Sequence, residues 1–94
     1  MLVERSELTV KPDAEDEFHK AITEKGIPLL QSVDGVISIQ VGRGVENPSK
    51  FMLLVGWASM DAHTAYGGTP KSIELRGIMG PFLTGGAMEH FEVQ

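Results

Sequence analysis

The sequence predicts an α+β fold of the ferredoxin-like class, a split β-α-β arrangement built on one antiparallel sheet. Three observations carry this prediction. The segments read in the order strand, helix, strand, strand, helix, strand. The third strand, Lys50–Trp57, has no charge on either face from Phe51 onward, as a strand covered on both sides requires. A Glu46-Asn47-Pro48-Ser49 turn joins the two middle strands as a hairpin, leaving each helix as a right-handed crossover. In this topology the first and third strands are central, and both helices cover one face. The 94 residues suit a single domain, 1–94, with a thin core, because a chain this short buries roughly two-thirds of its unfolded surface.

Leu2–Val10 is the first strand. Leu2, Leu8 and Val10 share a face with Glu4 and Ser6, while Val3, Arg5, Glu7 and Thr9 make the other. Pro12-Asp13 ends it, with Asp13 expected to cap a helix running from Ala14 to about Val33. Glu15, Asp16 and Glu17 crowd the first turn, where the helix dipole favours negative charge. Gly26 and Pro28 predict a kink or a break, since Pro28 has no N–H to give to the Glu24 carbonyl. Asp34-Gly35 is a turn. In the second strand, Val36–Gly44, Ile37, Ile39 and Val41 alternate with Ser38, Gln40 and Gly42.

After the third strand, Ser59 is positioned to cap a helix that runs to Tyr66 and stops at Gly67-Gly68. Thr69 as cap and Pro70 at the first helical position restart it, and Gly80-Pro81 ends it. Thr84-Gly85-Gly86 reads as a flexible link, and Ala87–Val93 as the last strand. The sheet face away from the helices then carries Arg5, Glu7, Thr9, Ser38, Gln40, His90 and Glu92, with one apolar face of the third strand. A face mixing apolar and polar groups in this way predicts a homodimer that buries sheet against sheet.

Composition excludes several functions. The absence of cysteine removes disulfides, thiolate nucleophiles and Cys-based zinc sites. A net charge of −5 argues against a nucleic-acid partner, which needs clustered Lys and Arg. No apolar run approaches the roughly 20 residues of a membrane helix, and the N-terminus does not read as a secretion signal, so a cytoplasmic protein is expected. His19, His63 and His90 lack the i, i+4 spacing of a ligand pair, and no metal site is expected. Gly42-x-Gly44 and Gly85-Gly86 lack the partner residues of a nucleotide loop, and there is no serine nucleophile elbow.

The candidate site lies where the buried third strand meets the next helix. Trp57 can stack on a planar substrate and donate its indole N–H, or serve as a core aromatic. His63 can act as a base that ionises a phenol or enol, its unperturbed pKa being about 6.5, or pack as a structural histidine. Tyr66, three residues on, shares its face and can line a pocket. Arg76 can hold a carboxylate or enolate, or form a surface salt bridge. His19 reads as a solvated histidine, and His90 as one facing the dimer interior.

The stretches LTVKP at Leu8–Pro12, DGVISIQV at Asp34–Val41, NPSKFMLLVGWASMDAHTAY at Asn47–Tyr66 and EHFEV at Glu89–Val93 resemble the antibiotic biosynthesis monooxygenase family of the dimeric α+β barrel superfamily. Trp57, Ser59 and His63, as Trp-x-Ser-x-x-x-His, are the most specific piece. The resemblance covers nearly the whole chain. It implies a homodimer with a pocket between sheet and helices that takes a small hydrophobic or aromatic ligand. Some members oxidise aromatic polyketides or quinols with molecular oxygen and no cofactor, because an ionised, electron-rich substrate can reduce oxygen itself. Oxygenating and haem-degrading members place an Asn on the first or third strand near their Trp; Leu2–Val10 and Phe51–Trp57 contain none. Haem-degrading members carry their axial His where this chain has Gly67, so haem is not expected. Two readings follow. One is a cofactor-independent monooxygenase with His63 as base and Trp57 and Tyr66 positioning the ring. The other is a non-catalytic dimeric module for small ligands or stress.

Overall fold

The computed structural model describes residues 1–94. A four-stranded antiparallel sheet has the order β2-β3-β1-β4, so β1 (Leu2–Val10) and β3 (Lys50–Trp57) are central, flanked by β2 (Val36–Arg43) and β4 (Leu83–Glu92). Helices α1 (Glu15–Ala21), α2 (Ile27–Gln31), α3 (Met60–Tyr66) and α4 (Pro70–Met79) complete the chain. Burial alternates strictly along β1: the Leu2, Glu4, Ser6, Leu8, Val10 face is buried and the opposite face only partly so. On β3, Phe51, Leu53, Val55 and Trp57 join the buried face. Phe18, Ile22, Leu30, Val33 and Leu75 descend on this face from the helical side. Phe18 anchors the layer edge-on, with ring centroids 4.9 Å from Phe51 and 5.9 Å from Phe82.

The first helical region bends without breaking. Residues Ile22–Gly26 form a π-turn between α1 and α2, and the Ile27 N–H reaches back five residues to the Ile22 carbonyl. Adding one residue to the turn shifts the bonding register ahead of Pro28, which cannot donate. Gly26 is buried inside this turn, where a Cβ would lie 3.2 Å from Ile22 and 3.5 Å from Leu75 of α4. Asp13 does not cap α1. It sits in the left-handed region at φ 68°, Ala14 takes the N-cap position, and no side chain caps the helix. The two later caps form as expected: the Ser59 hydroxyl accepts from the Ala62 N–H at 3.1 Å, and the Thr69 hydroxyl from the Ser72 N–H at 3.3 Å. Gly35, at φ 89°, immediately precedes β2 and lies against α3, where a Cβ would meet that of Ala62 at 2.6 Å.

Two strands differ from the sequence reading. In β2 the register shifts between Val36 and Ser38, so Val36 pairs with Trp57 and Ile37 bulges outward at 59% exposure instead of joining Ile39 and Val41. The last strand starts at Leu83, and Thr84-Gly85-Gly86 are part of it, with Gly85 and Gly86 paired to Thr9 and Leu8. This ladder sets His90 opposite Glu4 and Glu92 opposite Leu2. Both therefore share the helix-side face, and neither lies on the open face. The open face instead receives Ala87, Glu89 and Phe91.

Phe18→Ala should lower unfolding stability by about 3–5 kcal/mol in urea titrations. His19→Ala, at an exposed neighbouring position, should stay within about 0.5 kcal/mol. Equal losses would contradict the placement of Phe18 at the centre of the core.

Candidate functional site

Glu4 organises the site. It lies on the buried face of central strand β1 at 7% exposure, among Leu2, Ser6 and Leu8. A carboxyl group in such a layer needs partners for its oxygens. Oε1 accepts from the Trp57 indole N–H at 3.0 Å, and Oε2 accepts from the Ser6 hydroxyl at 3.1 Å. His63 Nε2 stands 3.3 Å from Oε1. His90, brought in by the β4 register, places its Nε2 3.5 Å from His63 Nε2, with ring centroids 4.5 Å apart.

The Ser59 cap starts α3 so that its first two turns lie over the end of β3. His63 and Tyr66 consequently face Trp57, with ring centroids at 5.2 Å and 5.4 Å. Trp57 is fully buried and its N–H is committed to Glu4, so this arrangement does not offer it for stacking or donation to a ligand. It holds Glu4 in place and backs the two α3 side chains.

A cavity of about 390 Å³ opens between the sheet and α4. Glu4, Ser6, His63, Tyr66, Ser72 and Arg76 supply its polar lining, and Leu53, Leu75 and Met79 part of its apolar wall. Three of the side chains singled out in the sequence, His63, Tyr66 and Arg76, thus meet here, with Arg76 exposed at the rim. A second cleft of about 370 Å³, between α3 and the Val33–Gly35 turn, also touches Tyr66 but contains no histidine, arginine or Glu4.

The Tyr66 hydroxyl is buried without a hydrogen-bond partner. Burial pushes its pKa above the ordinary tyrosine value, and the nearby Glu4 carboxylate adds to the shift. Ser72 and Arg76 oppose it, although no hydrogen bond of acceptable geometry joins Tyr66 to Ser72. Tyr66 is therefore a neutral, unpaired donor at neutral pH, beside an arginine and a histidine. The cavity thus brings together an imidazole, a phenol and a guanidinium.

Glu4 and His90 were not among the sequence candidates for this site. Glu4 had a signal, a carboxylate on the apolar face of a central strand. His90 had none, because its place depends on the register of an edge strand. Ligand spacing along one helix likewise misses what packing assembles: ligand atoms of Glu4, His63 and His90 all lie within 4.8 Å of one another.

The profile of the family described as antibiotic biosynthesis monooxygenase matches residues 1–75. The uncharacterized protein YczJ of Bacillus subtilis (strain 168) is 28% identical over 94 residues, which cover 98% of each chain. A Bordetella bronchiseptica structure, named as a candidate antibiotic biosynthesis monooxygenase, superposes with a TM-score of 0.91 at 21% identity, over 99% of this chain and 96% of its own. SnoaB, a cofactor-independent oxygenase from Streptomyces nogalater solved as a mutant, superposes with a TM-score of 0.85 at 14% identity, over 99% of this chain and 92% of its own. Identities this low bear on fold alone. No helix is long and apolar enough to cross a membrane.

Tyr66 is the single tyrosine, so its titration can be read directly by absorbance. In the folded protein the phenolate should appear above the ordinary pKa of about 10. The stability contributed by the neutral phenol is fully present below the unfolded-state pKa. It is lost as pH rises through the folded-state pKa, because the unfolded chain releases this proton first. Glu4→Gln should move the folded midpoint back toward the ordinary value. A wild-type midpoint at the ordinary value would contradict the burial of the hydroxyl.

Proposed function

The chain belongs to the antibiotic biosynthesis monooxygenase family, and on that premise we propose that it is a cofactor-independent monooxygenase acting on a small aromatic, polyketide or quinol-like substrate. The observation that carries this reading is the convergence of His63, Tyr66 and Arg76 on one cavity backed by Glu4. A planar, weakly acidic substrate in that cavity meets a base, a neutral donor and a cation.

In this reading the His63 imidazole, whose Nε2 stands 3.3 Å from the Glu4 carboxyl, takes a proton from an acidic C–H or O–H of the substrate. Tyr66 and Arg76 stabilise the resulting enolate or phenolate. Electrons then pass from that anion to molecular oxygen, and a C–O bond forms to give a peroxide. When the peroxide O–O bond breaks, one oxygen stays on carbon as a carbonyl and the other leaves as water. For an anthrone the balance is one substrate and one dioxygen giving one quinone and one water. Leu53, Leu75 and Met79 shelter the intermediate from solvent.

We propose further that two copies pair through the open sheet face. Met52 and Leu54 form an apolar strip on the central strand, and Phe91 on β4 remains 47% exposed. Two ion pairs lie beside the strip: Arg5 with Glu89 at 3.1 Å, and Lys50 with Glu7 at 2.7 Å. The hydrogen bond and charge of Lys50 hold the Glu7 carboxyl below its ordinary pKa. A self-complementary patch of this kind suits a two-fold contact.

Oxygen uptake with a panel of anthrones and dihydroquinones should exceed the spontaneous rate, and His63→Ala should lower it at least about tenfold while retaining the fold. Unchanged uptake in that variant would remove His63 as the base. No wild-type uptake above background would favour the non-catalytic, ligand-binding reading. In sedimentation velocity the wild type should run as a dimer at micromolar concentration and Leu54→Glu as a monomer. A wild-type monomer would contradict the sheet-to-sheet pairing.

A further inference from the structure

We infer that Glu4, His63 and His90 form a binding site for one divalent first-row transition-metal ion per chain. This inference does not depend on oxygenase activity. It rests on the ligand set, its spacing and its support.

Two imidazoles and one carboxylate are a donor set that such ions take readily. The distances fit as well. Metal–ligand bonds of about 2.0–2.1 Å in a tetrahedral site place neighbouring ligand atoms roughly 3.3–3.4 Å apart. His63 Nε2 and Glu4 Oε1 are separated by 3.3 Å, and His63 Nε2 and His90 Nε2 by 3.5 Å. All three ligand atoms lie within 4.8 Å of one another. His90 is on an edge strand and only partly buried, so a small movement of its ring closes the remaining gap.

The support is that of an oriented site. The Trp57 N–H and the Ser6 hydroxyl hold the two oxygens of Glu4, and orienting bonds of this kind commonly strengthen metal binding. The carboxylate is buried on a rigid central strand, so little ordering is left to complete on binding. Three protein ligands leave a further coordination position, and the cavity that Glu4 and His63 line gives an exogenous oxygen donor access to it. Metal at His63 Nε2 and proton transfer by the same imidazole exclude one another, so a loaded site should oppose base catalysis.

The test is calorimetric titration of metal-free protein with zinc and, separately, cobalt(II). One saturable site per chain is expected. His90→Ala should weaken it at least about tenfold, and Glu4→Gln should weaken it similarly. His19→Ala, which alters an exposed histidine outside the cluster, should leave it unchanged. Because His90 is partly exposed on an edge strand, its removal is not expected to unfold the chain, which circular dichroism checks. No saturable binding by the wild type would overturn the inference, as would binding that survives His90→Ala or disappears with His19→Ala. Oxygen uptake is a separate readout. A protein that binds zinc yet consumes no oxygen in its metal-free form supports the metal site and counts against the monooxygenase reading, whereas one that consumes oxygen without binding metal does the reverse.

Discussion

Everything at the site depends on one buried carboxyl group. Glu4 occupies a position on β1 that its neighbours Leu2, Leu8 and Val10 would fill with hydrocarbon. An unpaired polar group there would cost several kcal/mol, so its partners are a structural necessity before they are a chemical asset. Trp57 and Ser6 meet that need from inside the core, and His63 from the helical layer. The first two bonds fix the carboxylate. The His63 contact, at 3.3 Å, connects α3 to the sheet.

The fold delivers these groups by local devices. The β1–β3 register sets Leu2 against Trp57 and Glu4 against Val55, which brings the Trp57 ring over Glu4. The missing Cβ of Gly35 lets Ala62 pack closely, so that α3 lies beside Trp57. The Ser59 cap fixes where α3 begins, and hence that His63 and Tyr66, one turn apart, both face the tryptophan. The π-turn at Ile22–Gly26 keeps the long first helix continuous past Pro28 and lets Gly26 approach Leu75 of α4, which forms one wall of the cavity.

The parts of this arrangement that were legible in the sequence are those set by local chemistry. The uncharged run of β3, the Ser59 and Thr69 caps, and the order of elements all report directly on backbone preferences. The residues Trp57, His63 and Tyr66 were likewise drawn together by strand-end and helix spacing. What escaped was set by register. A bulge at Ile37 exchanges the side that residue faces, and the parity of β4 decides whether His90 points to the helices or away. Phe91 and Val93 suggest by their apolarity that they face inward, but at an edge strand little burial enforces that preference, and each remains 47% exposed. The strand pairing, which starts at Leu83 through two glycines, overrides it.

The polar character of β1 now has a physical reason on both sides. A central strand with Arg5 and Glu7 mid-sheet reads as a poor core element, and Glu4 on its other face worsens the case. In the structure the alternation separates two tasks. Glu4 and Ser6 face the helices and build the cavity, while Arg5 and Glu7 face away and pair with Glu89 and Lys50. His90 belongs with the first group, so the cluster of Glu4, His63 and His90 is complete within one chain. The open face carries a separate set of groups, since Arg5 and Glu7 alternate with Glu4 and Ser6 along the same strand, so a change to either polar pair can be made on its own face without replacing a residue of the other.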